Sequence, residues 1–370
     1  MSAGYKMNVL LNLYHQFRER TPFKYWRKSR PAAPVSAKPN EVKESRFERL
    51  VREYYGVEDI KNITDPVKKM WVEWSLQTVE RGHCVKDIVS QHTSLEGKRY
   101  LDIGCGHRGF VVAFKQAGVS EAMGIDINPT WIECSKALAE EYHIEMPCYQ
   151  KDILKSDDID ELGMFDIITC NDVIEHVPGP DAAINHIARL LKPTGLLFME
   201  IPNKFSAAFI KSDGHFKLFG ITLLPKWIAD RYFNHYHPDL RHSVRYKSLG
   251  YYINIFSLEG LECEILNLRH ISEETNKEGR LQKIQEMMED CKQQAATFEG
   301  DMPMEIKGKV IRRVSTITSL FERQFNHYIV LKENDERQAD SFADHLILIF
   351  GEDFWRLIVK HQKSIFVNPS

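Results

Sequence analysis

The stretch from Lys98 to Asp126 leaves this chain few folds to choose from. Its centre is LDIGCGHRG, Leu101 to Gly109, and it ends in GID, Gly124 to Asp126. Arg99 to Ile103 reads as a short buried strand. Gly104, Gly106 and Gly109 then form a turn of little steric bulk. Phe110, Val111, Phe114 and Ala117 recur at helical spacing up to Gly118, which closes the helix as a C-cap. A second strand, Ala122 to Ile125, delivers Asp126 at its carboxyl end. Strand, glycine turn, helix and acid-tipped strand make the first half of a nucleotide-binding α/β unit. In such a unit the glycines let a ligand approach the backbone, and the acid accepts from ribose hydroxyls.

By spacing alone, Gly104, Gly106 and Gly109 also satisfy a dinucleotide fingerprint. Asp102, two residues before the first glycine, points elsewhere. A carboxylate there repels a pyrophosphate and suits a ligand that carries an ammonium and a sulfonium.

At 370 residues the chain has room for one large α/β domain with additions, or for two domains. Its 43% hydrophobic content supports a packed core, and a net charge of -3 gives no overall signal for nucleic acid. The seven cysteines are scattered, with no paired-thiol or zinc spacing, which fits a reducing cytosol. No apolar run approaches the ~20 residues of a membrane span.

Taken in order, residues 1–45 are a basic and aromatic tail. Leu10, Leu11, Tyr14 and Phe17 fit one short amphipathic helix, and Phe23, Tyr25 and Trp26 alternate with Lys24, Arg27 and Lys28. A packing arm, a membrane-surface anchor through residues 1–30 and a transit peptide are the three readings. Cytoplasmic placement, with or without peripheral membrane contact, is the expectation. Residues 46–97 read as helices that precede the first strand, with Tyr54 and Tyr55 on one of them. Thr130 to Tyr142 reads as a helix, Met146 to Gln150 as a third strand and Phe165 to Cys170 as a fourth. The fourth opens into NDVIEHVP, Asn171 to Pro178. Asp181 to Leu191 is an amphipathic helix, Lys192 to Gly195 a proline-glycine turn and Leu196 to Ile201 a fifth strand. Residues at about 204–247 are aromatic, rich in histidine and arginine, and short on helix signals. Ser248 to Glu259 follows as a helix and Leu261 to Leu268 as a sixth strand, closing a core of 98–270. Residues 271–350 form a helical insertion, with helices at Ser272 to Phe298 and Ile306 to Phe325. Trp355 to His361, within 351–370, is the last strand. Alternating strands and helices predict a doubly wound, mostly parallel sheet that binds ligands at the carboxyl ends of its strands.

LDIGCG, GID, KDI, FDIITCNDVIEHV and LLKPTGLLFMEIPN recur in an order and spacing that resembles the class I S-adenosylmethionine-dependent methyltransferases. The resemblance runs from Lys98 to Asn203, and in particular to the ubiquinone-biosynthesis O-methyltransferase type. It implies a seven-stranded sheet with an antiparallel last strand, S-adenosylmethionine as cofactor, cover helices at 46–97 with Tyr54 and Tyr55 as core or lid residues, and a substrate cover at about 204–247. It assigns Asp102 and the Gly104, Cys105 and Gly106 backbone to the methionine part and Asp126 to the ribose. Ile127 and Ile153 would pack on adenine, and Asp152 would accept from its amino group. Asn171 and Asp172 would border the transferring methyl. His107 and Arg108 depart from the small residues usual there, and their bulk bears on access over the methionine carboxylate.

A hydroxyl acceptor needs a base within hydrogen-bond reach. His176 is the first candidate, with His242 downstream. Asp172, Glu175, His176 and His242 also resemble a divalent-metal set, although relatives that bind metal carry glutamate where Asp172 stands. Metal-free methyl transfer is the preferred expectation. His215, His235, His237, Arg241, Arg245 and Tyr246 are further polar residues of the cover. The expected acceptor is a small molecule, a lipid intermediate or a glycan end, with RNA a weaker alternative. A cofactor-binding scaffold without turnover and a dehydrogenase are the competing classes.

Overall fold

The computed structural model describes residues 44–299 and 301–362. The expected roles of residues 1–30, and the tail beyond 362, lie outside the described residues.

Four elements precede the sheet: α1 (Arg46–Tyr54), a 3-10 turn (Ile60–Asn62), α2 (Pro66–Leu76) and α3 (Thr78–Ser90). Ser45 starts α1 with a capping box, its hydroxyl taking the Glu48 N–H while Glu48 reaches back to the Ser45 N–H. Asp65 caps α2, and Pro66 occupies its first position, where no backbone N–H is needed.

The alternating core follows as β1 (Arg99–Ile103), α4 (Gly109–Gln116), β2 (Glu121–Asp126), α5 (Pro129–Glu141), β3 (Cys148–Gln150), α6 (Ser156–Asp160), β4 (Phe165–Asn171), α7 (Pro180–Leu190) and β5 (Leu191–Pro202). Then come α8 (Ala207–Lys211), α9 (Lys226–Tyr236), α10 (Leu249–Leu258), β6 (Leu261–Ile265), α11 (Leu266–Ser272), α12 (Lys277–Ala296), α13 (Met304–Asn334), α14 (Glu336–Leu346) and β7 (Phe354–His361). The seven strands lie in the order β3-β2-β1-β4-β5-β7-β6. All neighbours are parallel except β7, which runs antiparallel to both β5 and β6. This is the sheet expected from the sequence, and its order reverses between β1 and β4.

Both faces of the sheet are covered, so its strands are apolar on both sides. Along β1, Tyr100 faces a core shared with Val79, Val111 and Phe114, whereas Leu101 and Ile103 face the opposite core with Ile168, Ile184 and Ile187. The second core continues into the C-terminal helices through Leu281, Ile284, Val310 and Phe321.

Several element boundaries differ from expectation. The Lys192 to Gly195 turn lies inside β5 as a bulge: Phe165 pairs with Leu191 and Ile167 with Leu196, so five steps on β5 oppose two on β4. Strand β6 stops at Ile265, because Asn267 is drawn into a helical turn that binds β7. Its Oδ1 accepts from the Arg356 N–H at 2.6 Å and its Nδ2 donates to the Phe354 carbonyl at 3.0 Å. Helix α12 starts only at Lys277, where the Asn276 side chain caps it, and α13 extends to 31 residues. Among the described residues, no helix is long and apolar enough to cross a membrane.

Candidate active site

The carboxyl ends of β1, β2 and β4 lie side by side at the strand-order reversal, where open α/β sheets bind ligands. Asp102, near the end of β1, is buried. Thr169 of β4 donates to its Oδ1 at 2.7 Å, and Tyr100 OH lies 2.6 Å from the same threonine oxygen. Burial nevertheless pushes the Asp102 carboxyl up to about 7, because the Thr169 hydrogen bond and the cationic Arg81 offset only part of the desolvation.

The glycine turn has a specific polarity. Gly104 and Cys105 donate their N–H groups to the Ile125 carbonyl at 2.9 and 3.0 Å, and Gly106 donates to Asp126 Oδ2 at 2.9 Å. These three donors are consumed by the protein and do not form a phosphate cradle. Gly104 has a φ of +68°, and a Cβ there would lie 2.3 Å from Val173 Cγ2, so the turn admits only glycine. The Cys105 thiol points into the sheet, 3.5 Å from the Cys148 sulfur. The bulk of His107 and Arg108 is absorbed by packing. The His107 ring lies between Phe47 and Trp131, and Arg108 Nη1 donates to the Met146 carbonyl at 2.7 Å.

Asp126 caps β2. Its second oxygen takes the Asn128 N–H at 2.8 Å, and burial raises its pKa. Carboxylate lone pairs remain for hydroxyl donors. Ile127 follows with 66% of its surface exposed, whereas Ile153 is buried. Asp152 Oδ1 accepts from the Leu154 N–H at 2.9 Å.

At the end of β4, neither the Oδ1 nor the Nδ2 of Asn171 has a hydrogen-bond partner although both atoms are buried. Asp172 adopts a φ of +54°, unusual for a residue with a side chain. Its Oδ2 lies 3.1 Å from Arg81 Nη2. Burial pushes this carboxyl up to about 7 as well. Arg81, from α3, was not singled out by the sequence reading. Its guanidinium stacks on Trp74 at 3.2 Å, and burial lowers its pKa to about 10. A signal existed: Arg81 is three residues from Thr78 and four from Val85, both buried, so an arginine shares the apolar face of α3.

Beyond β4, Glu175 is fully buried, and neither carboxylate oxygen has a hydrogen-bond partner. Two imidazoles flank it. His176 Nε2 is 3.8 Å and His215 Nε2 3.7 Å from Glu175 Oε1. Each ring is fixed through its other nitrogen, His176 Nδ1 at 2.9 Å from Ser243 Oγ and His215 Nδ1 at 2.8 Å from Tyr246 OH. Burial brings His176 down to about 4 and lowers His215 too, so both rings are neutral near pH 7. Among the described residues, Glu175, His176 and His215 place one ligand atom each within 4.8 Å of one another.

This is not the metal set expected from the sequence. Asp172 is paired with Arg81, and His242 Nδ1 lies 2.8 Å from Asp230 Oδ1 with its ring stacked on Phe233 at 5.2 Å, while its Nε2 is buried without a hydrogen-bond partner. Among the described residues His215, and not His242, lies within 4.8 Å of Glu175 and His176.

A family model described as a methyltransferase domain matches residues 65–264. Over 128 residues the chain is 39% identical to a ubiquinone biosynthesis O-methyltransferase of Glaesserella parasuis serovar 5 (strain SH0165), covering 33% of this chain and 53% of that protein. Over 153 residues it is 35% identical to a protein of the same description from Coxiella burnetii (strain Dugway 5J108-111), covering 40% and 62%. The chain spans about half the length of the curated relatives it matches. Among solved structures it is similar to magnesium protoporphyrin IX methyltransferase from Synechocystis PCC 6803 with bound SAH, at 19% identity and a TM-score of 0.40, covering 60% of this chain and 87% of that one.

Proposed function

The chain belongs to the methyltransferase-domain family, and on that premise we propose that it moves the methyl group of S-adenosylmethionine to an oxygen of a small acceptor molecule. The observation that carries this reading is the juxtaposition of Asp102, a glycine turn with its donors already consumed, and Asp126 at adjacent carboxyl strand ends. That set favours a cationic methionine end over a pyrophosphate. The ammonium would sit against Asp102, and the methionine carboxylate would pair with Arg81. Asp126 would take the ribose hydroxyls. Ile127, with Ile153 beside it, would cover adenine, and Asp152 would accept from its amino group. The backbone of Gly104, Cys105 and Gly106 would run along the ligand. Asn171, with its amide atoms free, and Asp172 would border the methyl.

The donor is already activated, so alignment and proton removal are the protein's main tasks. The acceptor O–H loses its proton to an imidazole Nε2 as its oxygen forms the new bond to the methyl carbon. The C–S bond breaks and leaves a neutral thioether. His176 is the preferred base, with His215 beside it. Tautomers that donate from Nδ1 to Ser243 and Tyr246 leave both Nε2 lone pairs directed at this site, and Glu175 would stabilise the imidazolium that forms. His242 would serve in a positioning role.

A second reading adds a divalent cation. It is favoured by the buried Glu175 carboxylate, which has no hydrogen-bond donor and two neutral histidines beside it. Glu175, His176 and His215 would hold the ion, which would acidify an acceptor hydroxyl. Calorimetry with S-adenosylmethionine tests the donor, and absence of binding would sink the proposal. Labelled-methyl transfer into a host extract tests the acceptor class: a product labelled at oxygen is expected. Activity that survives a strong chelator unchanged would remove the cation.

A further inference from the structure

All seven cysteines are free thiols, and two of them meet. The Cys105 sulfur, in the glycine turn after β1, lies 3.5 Å from the Cys148 sulfur at the start of β3. The strand between them is β2, and Gly124 is its residue in register with Cys148. A Cβ on Gly124 would lie 2.7 Å from the Cys105 sulfur and 2.8 Å from the Cys105 Cβ. A side chain at that point of β2 would therefore displace the thiol, and the glycine is what lets Cys105 reach across β2 towards β3. The two thiols differ in exposure. Cys105 is buried, whereas Cys148 is half-buried on the edge strand of the sheet. Burial and the nearby Asp102 and Asp126 carboxylates hold the Cys105 thiol well above its usual range, so Cys148 is the one to meet an oxidant.

The turn that carries Cys105 also sets the ligand-facing carboxylate of β2. Gly104 and Cys105 donate to the Ile125 carbonyl at 2.9 and 3.0 Å, and Gly106 donates to Asp126 Oδ2 at 2.9 Å. A disulfide holds its sulfurs about 2.05 Å apart, so this pair must close by about 1.5 Å to form one. Cys148 is held by the ladder to β2. Cys105 lies between two glycines at positive φ, so the turn is the part that yields. Its movement towards β3 strains the bond from Gly106 to Asp126.

We propose that Cys105 and Cys148 form a peroxide-modification site, and that their disulfide weakens the binding of S-adenosylmethionine. The effect on binding rests on the methyl-transfer reading and adds a regulation to the same site. The Cys148 thiolate attacks one oxygen of hydrogen peroxide, the O–O bond breaks, and the departing hydroxide takes a proton and leaves as water. Cys105 then attacks the sulfenic sulfur of Cys148, and its proton leaves with the sulfenic hydroxyl as a second water. Two electrons pass in all from the two sulfurs to the peroxide. Thiol–disulfide exchange with a cellular dithiol or glutathione restores both thiols.

The test treats the full chain with hydrogen peroxide and removes the excess. One portion is alkylated with N-ethylmaleimide in urea and its peptides are weighed, and the other is titrated with S-adenosylmethionine by calorimetry. A peptide pair joined through Cys105 and Cys148 is expected, with affinity lower by ~10-fold or more and both changes reversed by dithiothreitol. Cys148→Ser alters a half-buried side chain of an edge strand. It should bind S-adenosylmethionine as the wild type does and keep that affinity through peroxide. Cys105→Ala should leave Cys148 as a sulfenic acid that dimedone labels. Peroxide-treated protein in which N-ethylmaleimide still marks both residues overturns the site. A joined pair with unchanged affinity overturns the switch, and so does an equal loss of affinity in Cys148→Ser. Reduced protein that binds no S-adenosylmethionine overturns the donor reading instead, and the joined peptides alone then decide the site.

Discussion

At the scale of single residues, the site is a set of ionisable groups that burial holds away from their usual charge. Asp102 shows the consequence most directly. Its carboxyl, pushed up to about 7 by burial, is protonated in much of the free protein at pH 7. An ammonium placed against it favours the carboxylate and brings that pKa down. Binding of S-adenosylmethionine should therefore release up to about half a proton at pH 7, and more near pH 6, where the free form is more fully protonated. Calorimetry in buffers of different ionisation enthalpy measures this release, and Asp102→Asn should abolish most of it. For folding, the sign is opposite to that of a salt-bridged acid. A native pKa raised above the unfolded value means that the native state binds more protons between about pH 4 and 7, so Asp102 makes the free protein less stable as pH rises through that window. The histidines give a second residue-level prediction. His176→Ala should slow transfer by ~100-fold or more if it is the base, with S-adenosylmethionine affinity unchanged. His215→Ala should cost a comparable factor only if the two rings act together on one acceptor. A near-normal rate for His176→Ala removes it from that role.

At the scale of elements, the crossing of α3 and α4 connects the cover helices to the glycine turn. A Cβ at Gly82 of α3 would lie 2.5 Å from the Gly109 carbonyl oxygen at the start of α4. Thr78 Oγ1 accepts from the Gly109 N–H at 3.2 Å in the same contact. Gly82→Ala must push α3 outward and draw Arg81 off Asp172. We expect a loss of about 1–3 kcal/mol, seen as a lower urea midpoint at unchanged slope, together with weaker S-adenosylmethionine binding. Stability lost with full affinity retained would show that Arg81 does not contact the cofactor. This crossing also marks how far the sequence can be read. The parallel strands and the Asp102, Asp126 and Asn171 positions were legible, because each lies in a local motif with its own period or turn. Arg81 was not, since its partner Asp172 is 91 residues away. The choice between His215 and His242 was equally hidden. Both sit in histidine-bearing loops, and what separates them is Asp230, one turn of α9 that captures His242. The β5 bulge escaped for a related reason, as proline and glycine signal a turn whether it ends a strand or is carried within one.

At the scale of the whole molecule, the helices between β6 and β7 are part of the core and not an appendage. Strand β7 lies between β5 and β6, so the chain must leave the sheet edge and return inside it through α11 to α14. Leu281, Ile284 and Met288 of α12 share one buried cluster with Ile201 of β5 and with Ala207 and Ile210 of α8. The Cys291 sulfur sits 3.7 Å from the Ala207 carbonyl oxygen in the same seam. Helices joined this way have no apolar surface of their own to retain once the sheet opens, and the sheet loses its C-terminal cover once they leave. Residues 45–299 and 301–362 should accordingly unfold as one cooperative unit. Two buried thiols provide the test, Cys170 in β4 and Cys291 in α12. Pulse labelling across a urea gradient, resolved by peptide mass, should expose both at the same midpoint and at the midpoint of the far-ultraviolet circular dichroism change. Labelling of Cys291 at clearly lower urea, with Cys170 still protected, would mean that the helices detach first. S-adenosylmethionine should then still bind at that lower urea concentration, because the glycine turn, Asp102 and Asp126 lie outside the detached helices.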